Sequence, residues 1–133
     1  MVGLLIVSHS HRLAEGVAEL AEQMAGGKVC IAAVGGLRDG DSVVLGTDAV
    51  RIAEAVHTHW CDAGMLLLVD MGSAVLSAEQ ALELLPPELG SRCLISNAPL
   101  VEGAVVAALE ASLGHTLLEV NAAAEAACTM RKR

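Results

Sequence analysis

The tetrapeptide Ser8-His9-Ser10-His11 stands directly after the apolar run Leu4-Leu5-Ile6-Val7. If that run is a buried strand, His9 sits at its tip, where the backbone holds an imidazole firmly. An unperturbed imidazole has a pKa of about 6.5, so it is largely a neutral nucleophile at physiological pH. A carboxylate bonded to one ring nitrogen fixes the tautomer and leaves the other nitrogen free to attack. Asp70, which ends a second apolar run, is the carboxylate that strand topology brings nearest. Both segments continue into helical patterns, and helix N-termini offer free amides and a favourable dipole to anions. A histidine beside such amides suits phosphate chemistry.

Each of these residues also has a plainer reading. Asp70 is equally a helix-capping carboxylate, and Gly72 and Ser73 are equally turn residues. His9 and His11 form an H-x-H pair that projects two imidazoles to one side of an extended chain. No third ligand stands at a matching spacing, so no metal is expected. His57, His59 and His115 fall in helix ends or loops, where solvation is the expected state. Neither G-x-x-x-x-G-K-[ST] nor G-x-G-x-x-G occurs, so no nucleotide cofactor is expected on this chain alone. Ser8, Ser10 and Ser73 lie outside any G-x-S-x-G elbow, which weakens a hydrolase reading.

Positioning these residues takes an alternation of strands and helices. Residues 2–7 have strand length and are apolar throughout. Leu13, Val17, Leu20, Ala21 and Met24 then repeat at helical spacing until Gly26-Gly27 stops the pattern. Residues 29–34 read as a second buried strand and residues 35–41 as a loop. A second helix follows Gly46, capped by Thr47 or Asp48 and burying Ala49, Ile52, Ala53 and Val56. Residues 65–69 are a third strand. Ser73 and Ser77 are candidate caps for the next helix, which uses Val75, Ala78, Leu82 and Leu85 before Pro86-Pro87 ends it. A short strand at 92–95 and helices at about 101–113 and 116–128, split by Gly114, complete the pattern.

This order predicts an α/β fold. It is an open, mostly parallel, doubly wound sheet of about four to five strands with helices on both faces, in one domain spanning 1–133. Ligands of such sheets gather beyond the carboxyl ends of the strands. Residues 8–11, 35–46 and 70–73 all fall there.

Composition narrows the function classes. The 133 residues carry 16 acids against 8 bases, a net charge of −8, and an acidic surface repels phosphate backbones, so nucleic acid is not an expected partner. Hydrophobic residues make up 54%, yet Phe and Tyr are absent and Trp60 is the one aromatic. The core must therefore be aliphatic and closely spaced. No apolar run approaches the roughly 18 residues of a membrane span, and no basic leader precedes the first strand. Cys30, Cys61, Cys93 and Cys128 show no C-x-x-C or zinc spacing. Cys30 and Cys93 read as small core residues in apolar runs. A reduced, cytoplasmic protein is expected.

Several stretches together resemble the phosphotransferase subunits, DhaM, of the phosphoenolpyruvate-dependent dihydroxyacetone kinases, whose fold is similar to the mannose-class enzyme IIA domains. They are Val7-Ser8-His9-Ser10 with Arg12 and Glu15-Gly16-Val17, then Gly46-Thr47-Asp48-Ala49-Val50 and Asp70-Met71-Gly72-Ser73-Ala74. Leu76-Ser77-Ala78-Glu79 and Ala98-Pro99-Leu100-Val101-Glu102-Gly103 complete the set, in the family's order across most of the chain. The resemblance implies that His9 accepts a phosphoryl group from the carrier HPr and passes it to ADP held in DhaL, so that DhaK-bound dihydroxyacetone is phosphorylated. Asp70 would orient the ring, while Ser10, Arg12, Gly72 and Ser73 would steady the phosphoryl oxygens. Mannose-class relatives form homodimers. Some members are fusions with HPr-like and enzyme-I-like domains; for a chain ending at Arg133, the expected donor is a separate protein. The 35–46 loop matches the family only loosely. Two rival readings are a flavodoxin-like small-ligand module and a regulatory interaction domain without phosphotransfer.

Overall fold

A computed structural model describes residues 1–133. The elements run β1 (Gly3–Ser8), α1 (His11–Met24), β2 (Ile31–Gly35), β3 (Leu37–Asp39), β4 (Ser42–Val44), α2 (Ala49–Thr58) and β5 (Met65–Val69). They continue with α3 (Gly72–Leu84), α4 (Pro87–Gly90), β6 (Cys93–Ile95), α5 (Leu100–Ser112), α6 (Leu117–Ala126) and a 3₁₀ turn, Ala127–Thr129.

Four strands form one parallel sheet in the order β2-β1-β5-β6. Strand β1 lies inside it and every one of its residues is buried, which is why its sequence is an unbroken apolar run rather than an alternation. Leu4, Ile6, Leu66 and Leu68 face one layer, packed with the alanines and valines of α1, α5 and α6. Leu5, Val7, Leu67 and Val69 face the other, against α2 and α3. In α5, Ala104, Ala107, Ala108 and Ala111 are fully buried. Such small side chains let helices approach the sheet closely in a core that has no Phe or Tyr. No helix is long and apolar enough to cross a membrane.

The register sets up everything that follows. Val7 pairs with Val69, and Ser8 with Gly35, so β1, β2 and β5 end level. His9, Gly36 and Asp70 are the residues that leave the sheet next. Gly35 makes the turn into α1 possible: a Cβ there would stand 2.5 Å from the Ser8 carbonyl oxygen and 2.9 Å from that of Ser10. Both are backbone atoms and cannot swing aside. Gly35→Ala is expected to cost about 1–3 kcal/mol, as overpacking does, and to lower the urea midpoint. An unchanged midpoint would show that the turn yields freely.

Four features differ from the sequence expectation. Residues 35–41 are not a simple loop, because β3 and β4 pair as an antiparallel hairpin with Asp39 opposite Ser42. Gly40, at φ +62, takes the first central position of its two-residue turn, and Asp41 stays at negative φ, as a type II′ turn requires. Three-residue strands are too short to show a period. Strand β2 starts at Ile31, and Cys30 is exposed rather than part of the core. It sits beyond the end of α2, where its thiol meets the His59 carbonyl at 3.9 Å. Cys93, by contrast, is buried as expected, and burial pushes its thiol up to about 11. Neither Ser73 nor Ser77 caps α3: Met71 occupies the N-cap position and makes no side-chain bond. Finally, the diproline introduces a short extra helix, α4, with Pro87 at its first position, where a missing N–H costs nothing.

Candidate functional site

Polar groups converge at the level ends of β1 and β5. Asp70 Oδ2 accepts from the Ser8 hydroxyl at 2.7 Å and from the His9 amide at 2.9 Å. Its Oδ1 meets His9 Nδ1 at 2.8 Å and accepts from the Met71 amide at 2.7 Å. One carboxylate therefore engages four donors from two strand ends. The plain capping reading of Asp70 does not hold: three of its four partners lie on the far strand, and Met71, not Asp70, is the N-cap of α3. On the other side of the ring, His9 Nε2 meets the Ser73 hydroxyl.

Burial decides how this cluster is tuned. The side chains of His9 and Asp70 are 17% and 11% exposed. Burial alone would push the Asp70 carboxyl up. Hydrogen bonds from the His9 amide, the Ser8 hydroxyl, the His9 ring and the Met71 amide outweigh it and hold the carboxyl below its ordinary range. A carboxylate tied this way is a fixed negative charge beside Nδ1. With the proton held on Nδ1, the lone pair lies on Nε2, on the more open side.

The depressed carboxyl also carries a stability signature. Its contribution is complete above the unfolded-state pKa of about 3.9 and is lost as pH falls through the lower folded value. Asp70→Asn should therefore be less stable than wild type at neutral pH, and the gap should close as pH drops below about 4. Urea midpoints of both proteins across that range test it. A gap that stays constant with pH would mean the charge is not what stabilises.

The remaining candidates divide. Ser10 is the N-cap of α1: its hydroxyl accepts from the Leu13 amide at 3.2 Å, and its own amide donates to Ser8 Oγ at 3.0 Å. Its amide is thus turned away from the ring. His11 and Arg12 occupy the first turn of α1, where amides have no acceptor within the helix. Gly72 and Ser73 do the same for α3, and a Cβ at Gly72 would meet nothing within 4 Å, so the approach above it is open. Arg12 lies outside the hydrogen-bonded cluster, in the wall of a cavity of about 460 Å³ with Ser10, His11, Val43, Val44 and Leu45. His9 and His11 part company, the first bonded to Asp70 and the second lining that cavity. No group of three His, Cys, Asp or Glu is placed to share a metal ion.

Sequence reasoning passed over Ser8. Its side chain is fully buried and bridges Asp70 to the Ser10 amide, locking the turn that presents His9. The available signal was a hydroxyl at the last position of an otherwise apolar buried strand. Gly46 carries no bonding role in the sequence reading, where it ends the 35–46 segment and precedes a helix. Its amide donates to the His9 carbonyl at 2.8 Å, tying the hairpin's exit to the same residue.

Comparison with known proteins gives a consistent result. Residues 3–121 match the EIIA-man family, described as the PTS system fructose IIA component. The chain is 47% identical over 114 residues to the phosphoryl donor subunit DhaM of the phosphoenolpyruvate-dependent dihydroxyacetone kinase of Escherichia coli. That match covers 86% of this chain but 24% of the relative, so the chain spans about a quarter of that protein's length. A DhaM from Listeria innocua is 44% identical, with 83% of this chain and 86% of the relative covered. Among solved structures, a protein of unknown function superposes with a TM-score of 0.81 at 34% identity, covering 94% of this chain and 93% of the other.

Proposed function

The chain belongs to the EIIA-man family of phosphotransferase-system IIA components, and on that premise we propose that it is a phosphoryl carrier acting through His9 Nε2, the phosphoryl donor component of a dihydroxyacetone kinase. The names of its relatives, phosphoryl donor subunits of such kinases, support this role. One observation carries the assignment to His9. Asp70 holds Nδ1 at 2.8 Å, which leaves Nε2, met in the resting state only by the Ser73 hydroxyl, as the attacking nitrogen at the strand end.

Two transfers make up the relay. In the first, Nε2 attacks the phosphorus of phosphohistidine on HPr, the donor's P–N bond breaks and a new P–N bond forms on His9. The ring gains positive charge as it does so, and the Asp70 carboxylate stabilises it. In the second, a β-phosphate oxygen of ADP held in DhaL attacks, the Nε2–P bond breaks, and the ATP so formed, still held in DhaL, phosphorylates dihydroxyacetone bound in DhaK. Throughout, the Asp70 proton acceptors are already engaged by four donors. No free base is left beside the ring to activate water, which protects the phosphoryl group from hydrolysis.

Ser73, which meets Nε2 in the resting state, is the hydroxyl best situated to turn toward a phosphoryl oxygen. The first-turn amides at Gly72 and Ser73 add donors, and Arg12, which has no carboxylate partner, serves the incoming phosphate or its carrier. Ser10 contributes by fixing α1 rather than through its amide. The 133 residues act as one carrier domain, in the cytoplasm where the donor resides. A homodimer is the expected assembly, with exposed Leu45, Leu113 and Leu118 among the apolar side chains available to it.

Intact mass tests the reading. With phosphoenolpyruvate, enzyme I and HPr, the purified chain should gain about 80 Da, one acid-labile phosphoryl group, and ADP-loaded DhaL should remove it. No gain, with HPr itself phosphorylated, would leave the family fold without the relay.

A further inference from the structure

The arginines of this acidic chain are unevenly placed. There are six, and two of them, Arg131 and Arg133, lie in the C-terminal tail. Arg92 stacks over Trp60, 5.5 Å from the ring centre. The other three gather on one side of His9. Arg12 lines the cavity described above, and Arg38 and Arg51 line a smaller neighbour of about 100 Å³ with His11, Gly35 and Val43. None of the three is paired with a carboxylate, although the chain has twice as many acids as bases.

The smaller cavity is built rather than incidental. Arg51 is held in place by donating from Nη1 to the Gly36 carbonyl at 2.6 Å, which leaves its other N–H groups free. Arg38 comes from β3, paired with Val43 across the hairpin, so the hairpin missed in the sequence supplies both one cation and the apolar wall. Buried Gly35 forms the floor without a side chain, and its neighbours are the Ser8 and Ser10 carbonyls. The hairpin's exit is bonded to the His9 carbonyl through Gly46. Two guanidinium groups and an imidazole around a space of this size match one tetrahedral oxyanion, for which arginine forks are well shaped.

We propose that this cavity is a second oxyanion subsite, which takes a phosphate group beside His9 rather than on it. The inference rests on the carrier reading for its purpose: the subsite would hold a non-transferring phosphate near the relay histidine. Two sources offer that chemistry, a phosphate of the acceptor's nucleotide or free inorganic phosphate.

Nuclear magnetic resonance of the full ¹⁵N-labelled chain tests it, at constant ionic strength, with inorganic phosphate and with ADP titrated separately. The arginine Nε–H signals of Arg38 and Arg51 and the Gly35 and Gly36 amides should shift and saturate. Arg38→Gln, at an exposed hairpin position whose side chain makes no hydrogen bond or ion pair within the fold, should weaken binding about 10-fold or more, and Arg51→Lys should weaken it less. Saturation by both probes assigns the site to any phosphate anion, and saturation by ADP alone assigns it to a nucleotide. No saturable shift with either probe, or shifts that Arg38→Gln leaves unchanged, overturns the proposal. Phosphorylation of the same wild-type preparation by phospho-HPr reports on the carrier reading separately. A chain that is phosphorylated but shows no saturable shift loses only the subsite; one that binds phosphate but is never phosphorylated loses only the relay.

Discussion

His9→Gln should abolish phosphoryl uptake from HPr, by about four orders of magnitude or more, because no other imidazole at the strand tip is set against a carboxylate. Glutamine is the informative replacement. Its amide can still donate toward Asp70, whose carboxylate otherwise keeps the Ser8 hydroxyl and the His9 and Met71 amides as partners. The turn should therefore survive, and the urea midpoint should stay close to wild type. Loss of uptake with an intact fold assigns the chemistry to the imidazole. Substantial uptake by the variant would move the acceptor elsewhere, and the other four histidines would each have to be replaced to find it.

Asp70→Asn is expected to slow transfer by about 10²–10⁴-fold while also destabilising the fold. The reason is a mismatch in donors. The Ser8 hydroxyl and the His9 amide converge on Oδ2, and the His9 ring and the Met71 amide converge on Oδ1. An asparagine has one oxygen, so its NH₂ must face donors on one side or the other. Turned toward Ser8, it opposes the buried hydroxyl and the His9 amide. Turned toward the ring, it reverses the tautomer and places the proton on the attacking nitrogen. Losing charged hydrogen bonds of this kind costs about 1.5–3 kcal/mol each, and the fixed negative charge that steadies the reacting ring is gone as well. Single-turnover uptake from phospho-HPr, set beside the urea midpoint, separates the two effects. A variant that is destabilised yet transfers at the wild-type rate would make Asp70 a structural residue only.

Sequence patterns and structure agree most closely where burial is deepest. The unbroken runs of β1 and β5 are legible because both faces of a central parallel strand are covered, and nothing but aliphatic residues fits there. The level ends of those strands then follow from topology, which is why His9 and Asp70 could be named together. Local chemistry was harder to read. Ser73 and Ser77 look like caps in sequence, but Ser73 meets the His9 ring and Ser77 bonds Thr47 at 2.6 Å. Asp48, by contrast, caps α2 as its residue type suggests, accepting from the Val50 amide at 2.9 Å. The hairpin escaped because Leu37–Asp39 and Ser42–Val44 are too short to show alternation, and its Gly-Asp turn resembles a loop. Ser8 escaped for a different reason. A hydroxyl at the end of a buried strand draws notice only once the carboxylate it bonds is known.

The serine misses share a cause: each depends on which distant residue arrives opposite. Helix caps and buried hydroxyls are local in sequence but acquire their partners from the tertiary fold. Cys30 illustrates it from the other direction. Its apolar neighbours suggest a core position, yet α2 ends before covering it, and it lies exposed.

The most direct measurement is heteronuclear magnetic resonance on the ¹⁵N-histidine-labelled chain after phosphorylation by enzyme I and HPr. Phosphorus bonded to an imidazole nitrogen couples to it, and the two ring nitrogens give distinct signals. Coupling on Nε2 of His9, with Nδ1 still protonated toward Asp70, is the expected result. Coupling on Nδ1, or on any other residue, would contradict the account, because the carboxylate contact that holds the ring would then block the very atom that carries the phosphoryl group.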